Sequence, residues 1–204
     1  MQRRDFILQA VSFTAASLVV SGCTTSGTAS TSGSGTSDKS ADTAKRRLEI
    51  DSGADATLER LYTSAKGSRD LVAKANGVLV FPSVLTAGFV VGGQYGDGVL
   101  RGHGGASPAL GYYSIGSASV GLLAGAQSKS IIFLFMTPDA LTKFRSASGW
   151  SAGVDAAVAV MKVGANGVLD TSGAGESVLA FVLTNAGLMA NLSLSGTKIT
   201  PLAI

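Results

Sequence analysis

Lys74–Leu100 reads KANGVLVFPSVLTAGFVVGGQYGDGVL, and Gly111–Met136 reads GYYSIGSASVGLLAGAQSKSIIFLFM. Both stretches are short runs of β-branched and aromatic residues punctuated by glycine, and the first also holds Asn76-Gly77 and Asp97-Gly98. Runs of this kind bounded by turn residues read as strands. The same texture continues to the C-terminus. Strands are predicted over 78–81, 87–95, 99–101, 111–123, 130–136, 156–163, 177–184, 188–193 and 198–202. Turns are predicted at Asn76-Gly77, Asp97-Gly98, Asn166-Gly167, Ala186-Gly187 and Ser195-Gly196. One helix interrupts, with Thr137 as its cap, Pro138 at its first position and Asp139 to Ser146 as its body. Many short strands at regular spacing imply an antiparallel sheet closed into a barrel or folded as a sandwich.

Glycine is the compositional outlier, 27 of 204 residues, about twice the usual share of roughly 7%. It has no three-residue period, which excludes collagen. Gly88, Gly92, Gly93, Gly116 and Gly121 fall inside predicted strands, and Gly125 stands just beyond one. Glycine weakens a strand unless it permits tight bending or close approach of another backbone. Strong sheet curvature is one reading, and a ligand laid against open backbone is the other. Phe81, Phe89, Tyr95, Tyr112, Tyr113 and Trp150 are candidate core or barrel-lining residues. The repeat of Ala-Asn-Gly-Val-Leu at Ala75–Leu79 and Ala165–Leu169 is explained by turn chemistry followed by a strand.

Upstream the composition changes. Only 11 of the 130 residues in Ala75–Ile204 are charged, whereas Asp38–Lys74 holds eight basic and seven acidic residues. Ala54, Leu58, Leu61, Tyr62, Ala65, Arg69 and Val72 recur at helical spacing and form one stripe. The pattern predicts a short helix over 42–51, a break at Gly53 and a longer helix over 54–74, stopped by Asn76-Gly77. The fold class is therefore mainly β within α+β. It is an antiparallel closed barrel or sandwich with an N-terminal helical segment and one inserted helix.

The other end of the chain reads as an address. Arg3 and Arg4 precede a mostly apolar stretch, Phe6–Val20, which is shorter than the ~20 residues a spanning helix needs. Residues 1–22 are read as a signal peptide. Val20-Ser21-Gly22-Cys23 resembles a bacterial lipobox, in which small residues precede the cysteine that is lipidated, so Cys23 is the expected acylation site. Arg3-Arg4-Asp5-Phe6-Ile7 resembles a twin-arginine export signal, leaving the Sec and twin-arginine routes both open. Thr24 stands where an aspartate would favour retention at the inner membrane. The expected location is the outer membrane, facing the periplasm or the cell surface. Acyl chains contribute about 0.8 kcal/mol per buried CH₂, so two or three of them anchor a protein without help from its fold. Residues 23–41, dominated by Ser, Thr, Gly and Ala, read as a flexible tether with a span on the order of 25 Å. Residues 42–204 are the domain, helical over 42–74 and β-rich over 75–204.

Four stretches carry a longer resemblance. They are Lys74–Leu100, Gly111–Met136, Leu141–Val160 (LTKFRSASGWSAGVDAAVAV) and Gly187–Ile199 (GLMANLSLSGTKI). With the preceding helix, from about Ala54 to the end, they are similar to the SYLF-domain family of lipid-binding proteins. The resemblance implies a non-enzymatic domain that binds membrane phospholipid through an amphipathic N-terminal helix bearing basic residues. The matching positions are Arg60, Lys66, Arg69 and Lys74, with Lys45, Arg46 and Arg47 just upstream. Phosphoinositide headgroups are the family's association, and phosphatidylglycerol or cardiolipin would replace them in a bacterium. An envelope scaffold protein that recognises a protein partner is the alternative reading.

Other chemistry is poorly served. His103 and Cys23 are the single histidine and cysteine, too few for a zinc or copper centre or a disulfide. No cofactor is expected. A net charge of +3 does not argue for nucleic acid. Gly149-Trp150-Ser151-Ala152-Gly153 matches G-x-S-x-G, but a β-rich run follows it where a nucleophile elbow needs a helix, and His103 precedes the serine. Gly96-Asp97-Gly98 and Gly173-Ala174-Gly175 lack the third glycine of a dinucleotide loop. Arg101 beside His103 is a further candidate for a phosphate headgroup. The chain is expected not to be an enzyme.

Overall fold

A computed structural model describes residues 35–88, 91–106, 108–120, 125–163, 168–170, 173, 175–185, 187, 188, 194 and 196–204. Residues 1–22, read as a signal peptide, Cys23 and the stretch read as tether as far as Ser34 lie outside the described residues, as do Phe89 and the turn expected at Asn166-Gly167. In chain order the elements are α1 (Gly35–Ser64), α2 (Ser68–Lys74), β1 (Gly77–Gly88), β2 (Val91–Arg101), β3 (Ala109–Val120), β4 (Gly125–Phe135), α3 (Pro138–Ser146), β5 (Trp150–Ser151), β6 (Val158–Val160), β7 (Lys162–Val163), β8 (Leu169–Asp170), β9 (Val178–Thr184), β10 (Gly187–Leu188) and β11 (Lys198–Pro201).

The main sheet runs β10-β9-β4-β1-β2-β3-β11-β5, with β6 joining β9 in parallel and every other pairing antiparallel. β7 and β8 form a separate two-stranded ribbon. The fold is mainly β within α+β, as the sequence predicts, and the sheet is curled into a half-barrel. The curl stops short of the closed barrel, and a single sheet takes the place of the two a sandwich requires. Among the described residues the two ends, β10 and β5, are not paired with each other.

The middle of the sheet is buried on both faces. Val78, Val80, Val99, Ile132, Leu134, Leu179, Phe181 and Leu183 pack with Ile50, Ala54, Leu58, Leu61 and Ala65 of α1. The alternate residues Leu79, Phe81, Leu100, Ile131, Phe133, Phe135, Val178, Ala180 and Val182 pack with Phe144 of α3 and with Trp150. Period-two alternation therefore separates two apolar faces instead of an apolar and a polar one. That is why these strands read as unbroken apolar runs. On the α3 side the aromatic rings interlock: Trp150 lies 6.0 Å from Phe133, 6.3 Å from Phe135 and 5.7 Å from Phe144, mostly edge to face.

α3 follows its sequence signals. Thr137 Oγ1 accepts from the Ala140 amide at 3.2 Å, and Pro138 opens the helix. Three boundaries differ from expectation. The helix runs through Gly53 without a break, and a Cβ there would sit 2.9 Å from Pro82 Cβ, so the glycine serves to admit the neighbouring strand. The break comes at Gly67 instead, whose φ of 89° is left-handed. α1 also begins at Gly35, so Gly35 to Ala41, read as tether, are helical.

The strand expected over 87–95 is two strands meeting at a hairpin, with β1 ending at Gly88 and β2 starting at Val91. Asp97-Gly98, expected as a turn, lies inside β2. A Cβ on Gly98 would stand 2.4 Å from the Val80 carbonyl oxygen and 2.5 Å from the Phe81 ring, so close packing demands this glycine. The crowding arises at a register shift between Val80 and Ser83, where Pro82, lacking an amide hydrogen, interrupts the ladder. Of the aromatic residues expected in the core, Phe81, Tyr113 and Trp150 are buried, Tyr112 is half-buried and Tyr95 is exposed.

Candidate functional site

Burial along α1 begins at Ile50; the described side chains of Lys39–Glu49 are exposed or half-buried. Its first half is therefore joined to the sheet by polar contacts, and those contacts sort the predicted basic residues into two groups.

Arg46 and Arg47 are tied down. Arg46 Nη2 donates to Asp97 Oδ2 at 2.5 Å. Asp97 also accepts from Tyr95 Oη at 2.8 Å and Ser114 Oγ at 3.0 Å. Burial pushes the Asp97 carboxyl up, but the hydrogen bonds from Arg46, Tyr95 and Ser114 outweigh it and hold the group below its usual range. Arg47 donates through Nε to the carbonyl oxygen of Ile204 at 3.0 Å and lies 5.7 Å from the centre of the Tyr112 ring.

The others point outward. Lys45 is 76% exposed, with its ammonium 3.9 Å from Glu49 one turn along. A pair that exposed contributes a few tenths of a kcal/mol at most. Arg60 donates to the Thr184 carbonyl at 3.1 Å and remains exposed. Lys66 lies in the turn between α1 and α2, exposed, its backbone bridged to Val168. Arg69 stacks 4.1 Å from the Tyr62 ring centre and 3.7 Å from Glu59. Lys74 ends α2, exposed. Lys66, Arg69 and Lys74 thus share the corner made by α2 and the end of α1, while Lys45 stands apart along α1.

A charged centre that the sequence does not announce lies under α1. Arg101, at the end of β2, is buried, with its side chain 7% exposed. Its Nη1 donates to Asp55 Oδ1, and its Nη2 donates to the Asp51 carbonyl oxygen at 3.1 Å. Tyr112 Oη donates to the Asp51 carboxylate at 2.9 Å. Burial, then this hydrogen bond, pushes the Tyr112 phenol up. The Arg101 Nε has no partner. Arg101 is thereby committed to α1 and is not free to meet a headgroup, whereas His103 beside it is exposed on a short turn that packs under α2. A usable signal did exist: Arg101 and Asp97 are charges within a stretch that has very few, and a lone charge inside a strand predicts a buried partner.

The G-x-S-x-G segment does not form an elbow. Trp150 and Ser151 make β5 at the edge of the sheet, Asp155 Oδ2 accepts from the Ser151 amide at 2.6 Å, and β6 is the next element. No helix among the described residues is long and apolar enough to cross a membrane.

No curated protein matches the chain. A family model does, over residues 116–202: Ysc84, described as Las17-binding protein actin regulator. The matched region begins in β3, ends just past β11 and includes the aromatic core around Trp150. The SYLF family is associated with lipid binding and with protein partners. The resemblance read from the sequence and the family match therefore agree: residues 116–202 of this chain match the Ysc84 (SYLF) domain model, consistent with a SYLF-domain family.

Proposed function

We propose that the chain is an exported lipoprotein, held at the cell envelope by acylated Cys23, whose SYLF domain binds anionic phospholipid headgroups and catalyses no reaction. The observation that carries the domain's part is the α1–α2 corner, where Lys66, Arg69 and Lys74 present cations to solvent instead of spending them on the sheet. A basic residue near an anionic surface contributes about 1 kcal/mol. A few such residues bind weakly from solution, but a tethered domain is already at an effective concentration near millimolar. Arg46 and Arg47 belong less to this face than the sequence implies, because their heads are engaged by Asp97 and Ile204.

Vesicle sedimentation tests the electrostatic part. The chain is expected to bind vesicles containing phosphatidylglycerol and to ignore those of phosphatidylcholine alone. Lys66→Ala with Lys74→Ala should weaken binding roughly ten- to thirty-fold at low salt, from about 1 kcal/mol per residue. Equal binding to both vesicles would refute it. The anchor is tested separately: cells fed a radiolabelled or alkynyl palmitate should label the chain, and Cys23→Ser should abolish the label. An unlabelled wild-type chain would remove the anchor from the reading.

A protein partner is the second reading, favoured by the matched family's description as a Las17-binding actin regulator. Lipid-independent capture of one envelope protein by the purified chain would favour it.

A further inference from the structure

Beyond the buried centre, β1 to β4 continue past the register shift as a four-stranded extension, and its two faces differ. On the α1 side Leu85, Ala87, Gly93, Tyr95, Ala118 and Ser128 are exposed. On the other side, continuous with the aromatic core, the polar residues Thr86, Gln94, Ser117 and Lys129 are half-buried, while Gln127 is exposed. The register places them in rungs. Lys129 of β4 pairs with Val84 of β1, which pairs with Gly96 of β2, which pairs with Ile115 of β3. The next rung outward is Gln127, Thr86, Gln94 and Ser117. Val84 and Ile115 are the last members of the aromatic core on these strands, which fixes the face that both rungs share.

This face is not covered as a core would be, nor satisfied as a surface would be. Lys129 is half-buried, no ion pair holds it among the described residues, and desolvation alone lowers its ammonium from the usual value. Thr86 Oγ1 is out of solvent contact and has no hydrogen-bond partner. Gln94 spends one amide hydrogen on Thr197 Oγ1 at 3.3 Å, which brings the segment before β11 over the rung and helps shelter it. Gly96, in the Lys129 rung, has no room for a side chain, since a Cβ would lie 2.5 Å from the Ser83 carbonyl oxygen. A desolvated ammonium beside an unused hydroxyl, with amides and a further hydroxyl on the next strands and no carboxylate to neutralise it, is an unmatched positive site. A phosphate supplies what is missing: negative charge and several acceptor oxygens.

We propose that this face is an anion cradle that takes a phosphate group, with Lys129 as its charged donor and Thr86, Gln94 and Ser117 as neutral partners. It is a different site from the helical corner and does not rest on that corner binding membranes. The phosphate comes from a phospholipid headgroup or from a free phosphoester, and the chemistry at Lys129 is the same.

Calorimetric titration of the full chain decides it, using inorganic phosphate, glycerol 1-phosphate and dihexanoyl phosphatidylglycerol below its micelle concentration. Saturable binding of at least one is expected. Lys129→Met should weaken it ten-fold or more while leaving Tm at or above that of wild type, because a desolvated charge is replaced by an apolar chain of similar length. Thr86→Val, nearly isosteric, should weaken it several-fold. Lys143→Ala, which removes a cation on α3, should change it less than two-fold. Tighter binding of the short-chain lipid assigns the cradle to headgroups; equal binding of glycerol 1-phosphate assigns it to free phosphoesters. No binding of any probe, or equal binding by Lys129→Met and Thr86→Val, overturns the cradle. Vesicle binding through Lys66 and Lys74 can fail without touching that result.

Discussion

Trp150→Ala is expected to destabilise the domain by about 3–5 kcal/mol, a large part of the roughly 5–15 kcal/mol that a domain of this size has. The side chain is 3% exposed and lies against Phe133, Phe135 and Phe144. Its removal costs the transfer energy of the indole and leaves a hole walled by rings that are themselves pinned between the sheet and α3. Phe135 and Phe144, centred 4.7 Å apart, hold each other in place, so collapse into the hole is limited. Trp150→Phe should cost much less, about 1–2 kcal/mol, because most of the volume stays. Urea unfolding followed by circular dichroism is the suitable measurement, since Trp150 is the single tryptophan and fluorescence vanishes with it. A loss below about 1 kcal/mol would mean that the indole is not part of a closed core.

The second large effect is expected under α1, where the sign of the asymmetry matters more than the size. Asp51→Asn with Asp55→Asn should cost about 2–3 kcal/mol, toward the lower end for stranding a buried charge. Arg101→Met should cost about 1 kcal/mol. The two edits break the same ion pairs, but they leave different orphans. The guanidinium is 7% exposed and already has an unpartnered Nε, so without the carboxylates it remains buried and charged. The carboxylates are better hydrated, Asp51 being 35% and Asp55 67% exposed, so without the guanidinium they turn to water. Thermal unfolding of the two variants side by side measures this. If Arg101→Met proves the more damaging, the arginine's stem packing, not its charge, is what fixes α1.

Local chemistry was legible where it acts alone. The Thr137-Pro138 start of α3, the strand character of 78–81 and 177–184, and the apolar stripe from Ala54 to Val72 all depend on neighbours within a turn or a few residues. What eluded the sequence depends on distant partners. Gly53 and Gly98 look like punctuation, yet both admit something close by: Pro82 beside the first, the Val80 carbonyl and the Phe81 ring beside the second. The change of strand between Gly88 and Val91 hides because the sequence places Phe89 and Val90 there, with no Asn-Gly or Asp-Gly pair to mark a turn. The candidate site shows the same division. Seven basic positions are visible as a helix pattern, but which of them are spent on Asp97 and Ile204 is decided by β2 and the C-terminal residues. Lys129 carried no motif at all; its meaning comes from the absence of an acid in its own rung, with Val84, Gly96 and Ile115, and in the next rung, with Gln127, Thr86, Gln94 and Ser117.

The two-sided packing has a consequence for how such a domain can diversify. β1 and β4 are each anchored at one end, where Val78 to Phe81 and Ile131 to Phe135 are clamped from above and below. Toward the other end the same strands run out beyond both layers, carrying Thr86, Gln127 and Lys129 on a scaffold that is already paid for. Side chains there can be exchanged with little penalty to the clamp. One rigid frame can thus be re-lettered at its free margin to suit different guests.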